Sequence, residues 1–185
     1  MSGKLHIVAL SGSLRTASYN SAAIRAAMAL APQDCDIELL DISQLPLYNE
    51  ELDGEHVPQA VLALAKRIAS ADAILFATPE YNYSISGVLK NAIDWLSRQK
   101  PQPFADKPAA IMSASMGILG GVRAQYQLRQ MMVSMDVHFV NKPEVMIGQA
   151  HEKFSELGAL NDGQTAEFIE KLMLALRDWT LRIQR

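Results

Sequence analysis

Short apolar runs rich in β-branched residues alternate along the chain with longer segments whose apolar positions recur every three or four residues. The first pattern is that of buried strands and the second that of helices with one apolar face. Leu5-His6-Ile7-Val8-Ala9-Leu10 reads as a first strand. Ser21 to Leu30 then reads as a helix with Ile24, Ala27, Met28 and Ala31 on one face, ended by Pro32. Ile37-Glu38-Leu39-Leu40 is a second strand, followed by a Pro-containing stretch from Ser43 to Pro58 and a helix carrying Val61, Leu64, Ala65 and Ile68.

Ala73-Ile74-Leu75-Phe76-Ala77 shows no polar alternation, as expected of a central strand covered on both faces. Val88, Leu89, Ala92, Ile93 and Leu96 mark the next helix. A fourth strand, Ala109-Ala110-Ile111-Met112-Ser113, leads to a helix that groups Ala124, Leu128, Met131, Met132 and Met135 as core. A fifth lies between Val137 and Ile147, with Pro143 inside that span. The last helix, about Thr165 to Ile183, is expected to bury Phe168, Ile169, Leu172, Met173, Leu176 and Trp179. Five strands in regular alternation with helices predict an α/β fold, a three-layer doubly wound five-stranded parallel sheet in the flavodoxin-like order. Ligands of such sheets bind beyond the carboxyl ends of the strands, where the winding reverses.

Composition narrows the class. No linker or low-complexity stretch divides the 185 residues, so a single domain over 1–185 is expected. A 49% apolar and 20% charged chain suits a soluble globular protein. The net charge of −3 and the lack of a Lys/Arg cluster argue against nucleic acid. No apolar run approaches the roughly 20 residues of a membrane span. The lone Cys35 fits a reducing compartment, and a cytoplasmic location is expected. His6, His56, His138 and His151 show no metal-ligand spacing.

Three loops at the carboxyl ends of strands carry the chemistry. After strand one, Ser11-Gly12-Ser13-Leu14-Arg15-Thr16-Ala17-Ser18-Tyr19-Asn20-Ser21 offers hydroxyls, a guanidinium and backbone N–H groups just ahead of a helix. That is a phosphate site in kind. It has neither the G-x-G-x-x-G of a pyrophosphate loop nor a P-loop, so a terminal monophosphate fits better. The bland reading is a turn in which Ser18 or Asn20 caps the helix. After strand three, Thr78-Pro79-Glu80-Tyr81-Asn82-Tyr83-Ser84 supplies a stiff turn, planar faces and an amide suited to a flat heteroaromatic, or else ordinary loop aromatics and a solvated Glu80. After strand four, Ser113-Ala114-Ser115-Met116-Gly117 with Gly120 and Gly121 permits close backbone approach, or simply forms a flexible turn.

Gly12-Ser13-Leu14-Arg15 with Ser18 and Asn20, Pro79-Glu80-Tyr81-Asn82 with Gly87-Leu89-Lys90-Asn91-Asp94-Trp95, and Ser115 with Gly117, Gly120 and Gly121 together resemble the NADPH-dependent FMN reductase family. The likeness spans roughly Ile7 to Leu128 and is most specific from Pro79 to Trp95. It implies bound FMN and hydride transfer from NAD(P)H through flavin N5 to a small-molecule electron acceptor such as a quinone, chromate, an azo compound or free flavin. By the same resemblance Ser13, Arg15, Ser18, Asn20 and Ser21 would hold the phosphate. Pro79, Glu80, Tyr81, Asn82 and Tyr83 would border the isoalloxazine, and Ser115 and Gly117 would close its other edge. A homodimer or homotetramer is implied too, with Asp94, Trp95 and Arg98 as exposed interface candidates. Two rivals remain at this point: an FMN-binding electron-carrier flavodoxin without NAD(P)H activity, and a binder of another phosphorylated small molecule.

Overall fold

The computed structural model describes residues 3–184. Its strands are β1 (Leu5–Ser11), β2 (Cys35–Leu40), β3 (Ala73–Thr78), β4 (Pro108–Ala114), β5 (His138–Phe139) and β6 (Val145–Ile147). The helices are α1 (Tyr19–Leu30), α2 (Gln59–Ser70), α3 (Gly87–Ser97), α4 (Val122–Met132), the short α5 (Ala150–Lys153) and α6 (Gly163–Ile183). The sheet is parallel throughout, in the order β2-β1-β3-β4-β5, which is the flavodoxin-like order. The fifth position is split: β5 pairs with Pro108 and Ala109 at the start of β4, and β6 pairs with Met112 to Ala114 at its end. The chain leaves the sheet between them around Pro143, which lacks the N–H that a ladder needs.

Period-two alternation along the strands sorts the core into two layers. Ile7, Ala9, Leu75 and Met112 face α1 and α6, where Ile24, Ala27, Ile169 and Leu176 meet them. Val8, Leu10, Phe76 and Ile111 face α2, α3 and α4 through Ile68, Leu89, Leu96 and Leu128. Both faces of β3 are covered, and all six of its residues are buried. Cys35 begins β2 in the first layer, and burial pushes its thiol up to about 11.

The helical faces differ from the periodicity reading at Met28 and Phe168, and from what the resemblance implied at Trp95. Met28 and Phe168 are exposed, at 43% and 42%, because the buried stripes of α1 and α6 run through Ile24–Ala27 and Ile169–Leu172–Met173–Leu176 instead. Trp95, expected at an exposed interface, is fully buried. Its indole N–H donates to the Pro46 carbonyl (2.8 Å) and its ring meets Tyr48 edge-on at 5.0 Å. Asn91, one turn earlier, accepts from the Tyr48 N–H (2.8 Å) and donates to the same Pro46 carbonyl (2.9 Å). The stretch from Ser43 to Pro58 is thereby fastened to α3, so that face of the helix serves the fold.

Candidate functional site

The carboxyl ends of β1, β3 and β4 open into one cleft of about 280 Å³. It is the switch point of the winding, since the chain moves to β2 on one side of β1 and to β3 and β4 on the other. The cleft brings together Ser13, Arg15, Ser18 and Asn20 from the first loop, Pro79, Glu80 and Tyr81 from the second, and Ser115 from the third, with Tyr19, Ala114 and Met116 as additional lining. Ser21, Asn82, Tyr83 and Gly117 lie outside it. Ser21 Oγ bonds Ser11 Oγ (2.8 Å) and faces a neighbouring cleft beside Asp41 and Ser43.

The first loop is shaped as an anion cradle. Ser18 caps α1 by accepting from the Ser21 N–H (3.2 Å), which leaves its own hydroxyl proton free to donate. Among the described residues the N–H groups of Leu14, Arg15, Thr16 and Ala17 meet no protein acceptor. No carboxylate lines this end of the cleft; Glu80, on the opposite wall, is its sole acidic side chain. Arg15 makes one hydrogen bond, to the Ala17 carbonyl (2.9 Å), lies 5.9 Å from the Tyr19 ring centroid and makes no ion pair among the described residues. Free amides, hydroxyls and a guanidinium at the N-terminus of a 12-residue helix fit a phosphate monoester. Asn20 lines the same cleft with its amide already engaged, donating to Ala114 O (3.0 Å) and accepting from Ala114 N–H (2.9 Å). It ties the first loop to the end of β4.

The second loop is a tight hairpin. Tyr81 and Ser84 exchange backbone bonds of 2.9 and 3.0 Å across Asn82 and Tyr83, both at positive φ (51° and 68°). This is the two-residue turn that usually carries Asn-Gly; tyrosine at its second position stores backbone strain. What holds it is Arg123, a residue that no local pattern in the sequence marks. Its guanidinium donates to Glu80 Oε1 (2.9 Å) and lies 4.1 Å from the Tyr83 ring centroid. Its backbone N–H also donates to Glu80 Oε2 (3.0 Å). Gly121, at the cap position of α4, has no side chain to accept from that first turn, so Glu80 caps α4 from 43 residues away.

Gly12 is where the first two loops touch. A Cβ there would stand 3.1 Å from both Pro79 Cδ and Ser86 Oγ, so any larger residue would push the two loops apart by a few tenths of an ångström. Ser86 Oγ donates to the Gly12 carbonyl (2.5 Å) and accepts from the Leu89 N–H (3.3 Å), capping α3. Ser86→Ala should therefore remove a helix cap and strand a buried carbonyl together. About 2–3 kcal/mol of stability should be lost, read by urea unfolding. An unchanged midpoint would show that water takes over both bonds. The third loop is braced from below, with Ser113 Oγ donating to Gly120 O (2.5 Å) and receiving a bond from buried Gln125 (2.7 Å).

A parallel sheet in this order with a donor-rich loop beside an aromatic hairpin at its carboxyl edge defines the flavodoxin-like class of mononucleotide-binding proteins. Residues 5–152 match the family model described as NADPH-dependent FMN reductase, and the chain belongs to that family. It is 52% identical over 184 residues, covering all of both chains, to an NAD(P)H-dependent FMN reductase of Pseudomonas aeruginosa. It is 42% identical over 187 residues, again covering both chains fully, to a quinone reductase of Escherichia coli K12. A flavoenzyme NAD(P)H:(acceptor) oxidoreductase from Paracoccus denitrificans superposes with a TM-score of 0.87 at 36% identity, over 96% of this chain and 98% of that one. The protein is accordingly an FMN-dependent NAD(P)H oxidoreductase.

Proposed function

We propose that this enzyme reduces quinones and related small acceptors in the cytoplasm, as one domain over residues 1–185. Ser13, Arg15 and Ser18 with the amides of Leu14–Ala17 hold the FMN phosphate, while Pro79–Tyr81 and Ser115–Met116 flank the ring. The observation that carries the reading is the placement of a donor-rich cradle opposite an aromatic hairpin within one cleft. Quinone chemistry is supported by the E. coli relative and by a 46% identical NADPH:quinone oxidoreductase of Arabidopsis thaliana.

Bound FMN supplies the centre that accepts a hydride and passes it on. The chain's own part is to orient and shield. Arg15 and the first-loop amides fix the phosphate end, and the Tyr81–Ser84 hairpin sets one wall. Glu80 is committed to Arg123, which keeps its negative charge from a free position against the ring. Tyr81, Tyr83, Met116, Ile118 and Leu119 stand exposed on the second and third loops, which supports a second copy covering this edge in a homodimer or homotetramer.

The test is an absorbance spectrum of the FMN-loaded protein, followed by anaerobic NADPH and then a quinone. Bleaching of bound flavin and its recovery on adding quinone is the expected result. Flavin that stays oxidised in the presence of both NADPH and NADH would instead indicate a carrier. A protein that retains no FMN would remove the reading.

A further inference from the structure

Arg123 and Gln125 both stand in the first turn of α4, at a spacing whose side chains do not share a helix face. Arg123 reaches the Tyr81–Ser84 hairpin through Glu80 (2.9 Å) and the Tyr83 ring. Gln125 turns the other way, beneath the third loop, where it is 1% exposed. One helical turn therefore grips both loops that flank the ring end of the cleft.

The Gln125 amide holds the third loop in two ways. Its Nε2 donates to Ser113 Oγ (2.7 Å), which passes a bond on to the Gly120 carbonyl (2.5 Å) at the far end of the loop. The same nitrogen donates to the carbonyl of Val145 (2.8 Å), the first residue of β6. From β6 onward the chain straps the loop from outside. The Ser115 N–H donates to Ile147 O (3.0 Å), the Ala150 N–H to Ser115 O (3.0 Å) and the Gln149 N–H to Gly117 O (3.2 Å). Loop and strap lie so close that a Cβ on Gly120 would stand 2.7 Å from the Met146 carbonyl carbon. Ser115 and Gly117 are thus placed by a base and a strap that meet at one side chain. The other atom of that amide has no such use: Gln125 Oε1 is buried and meets no donor among the described residues. An unpartnered buried acceptor costs stability, and an apolar side chain of similar shape would not carry that cost. What the glutamine contributes is direction, as two N–H bonds aimed at the two supports of the loop.

We propose that Gln125 is a positioning residue for hydride transfer: acting through Ser113, Gly120 and Val145, it sets the gap between the third-loop wall and the Pro79–Tyr81 wall in which the flavin ring meets NAD(P)H. The assignment rests on the FMN-dependent NAD(P)H reading above and adds to it a residue that lies outside the cleft lining. The phosphate end is anchored separately by the first loop, so Gln125 acts on the setting of the ring more than on retention of the cofactor. A misplacement of about 1 Å at a reacting centre can slow the step about 100-fold, and a slackened wall gives part of that.

The experiment follows reduction of the FMN-loaded protein by NADPH in an anaerobic stopped-flow instrument, for the wild type, Gln125→Met, Ser113→Ala and the double variant. Ile68→Val, in the core beneath α2 and away from the cleft, is the control for lost stability alone. In Gln125→Met the reduction rate at saturating NADPH falls roughly 10-fold, while the FMN dissociation constant and the NADPH concentration for half-maximal rate change by less. The visible absorbance band of the bound flavin shifts with it. Ser113→Ala slows reduction by a smaller factor, and the double variant falls short of the product of the two, because both act on the same bond to Gly120. Ser113→Ala reads that relay even if Gln125→Met folds poorly. A saturated rate that neither variant lowers overturns the proposal, as does a loss that Ile68→Val shares or a double variant equal to the product. Wild-type protein that holds no flavin, or whose flavin NADPH does not bleach, is failure of the parent reading and is seen before any variant is compared.

Discussion

Arg15→Ala should weaken FMN binding roughly 10- to 100-fold while leaving the unfolding transition of the FMN-free protein where it was. The two halves of that result come from the same geometry. Arg15 is exposed, and its one bond inside the protein is to the carbonyl of Ala17, two residues away, so the fold loses almost nothing with it. Toward a phosphate dianion the same group is a planar fork at a helix N-terminus. Charge-assisted contacts of that kind are worth about 1.5–3 kcal/mol, and each 1.4 kcal/mol is a factor of ten in affinity. Arg15→Lys should fall between the two, since it keeps the charge and loses the fork. Quenching of FMN fluorescence in a titration measures all three proteins. Equal dissociation constants for wild type and Arg15→Ala would mean that the phosphate sits elsewhere, with the neighbouring cleft at Ser21, Asp41 and Ser43 as the next place to look.

How much of this was legible before folding depends on the range of each interaction. The strand order and the three loops were readable because their signals are local. An unbroken apolar run means a strand covered on both sides, as at β3, and a hydroxyl-rich turn before an amphipathic segment means a capped helix with free amides, as at Ser18. Phe168 and Met28 misled because each lies next to the buried stripe of its helix, where one position of rotation separates core from solvent. Trp95 misled for another reason. Its indole partner, the Pro46 carbonyl, is 49 residues away and belongs to an irregular segment with no periodicity to read. Glu80 and Arg123 are separated by 43 residues, so neither the pair nor its hold on the Tyr83 turn was visible in the sequence. Residue types announce what a loop can bind, whereas the brace that keeps it in shape comes from elements that are neighbours only in space.

Asn20 is the sharpest case of such a brace, and its removal should be the most damaging single change at the site. In the sequence it passes for a phosphate ligand or a helix cap; in the structure Ser18 caps the helix and Asn20 spans to Ala114, 94 residues on, with a donor and an acceptor both used. The side chain is 3% exposed, and the two backbone groups it serves belong to the last residue of β4, where β6 pairs through Ile147. Asn20→Ala would leave a buried N–H and a buried C=O without their partner. At about 1–3 kcal/mol for each stranded group, the loss should reach about 2–5 kcal/mol. For a domain of this size that lowers Tm by roughly 5–15 °C. The damage should extend to the ligand, because the same pair of bonds sets the separation between the phosphate loop and the Ser115 wall of the cleft. FMN should therefore rescue Asn20→Ala less than it stabilises the wild type, whereas Arg15→Ala should lose affinity with no change in the FMN-free protein. Thermal unfolding with and without saturating FMN separates the two behaviours. A Tm for FMN-free Asn20→Ala within a degree of wild type would show that this cross-link does not hold the cleft together.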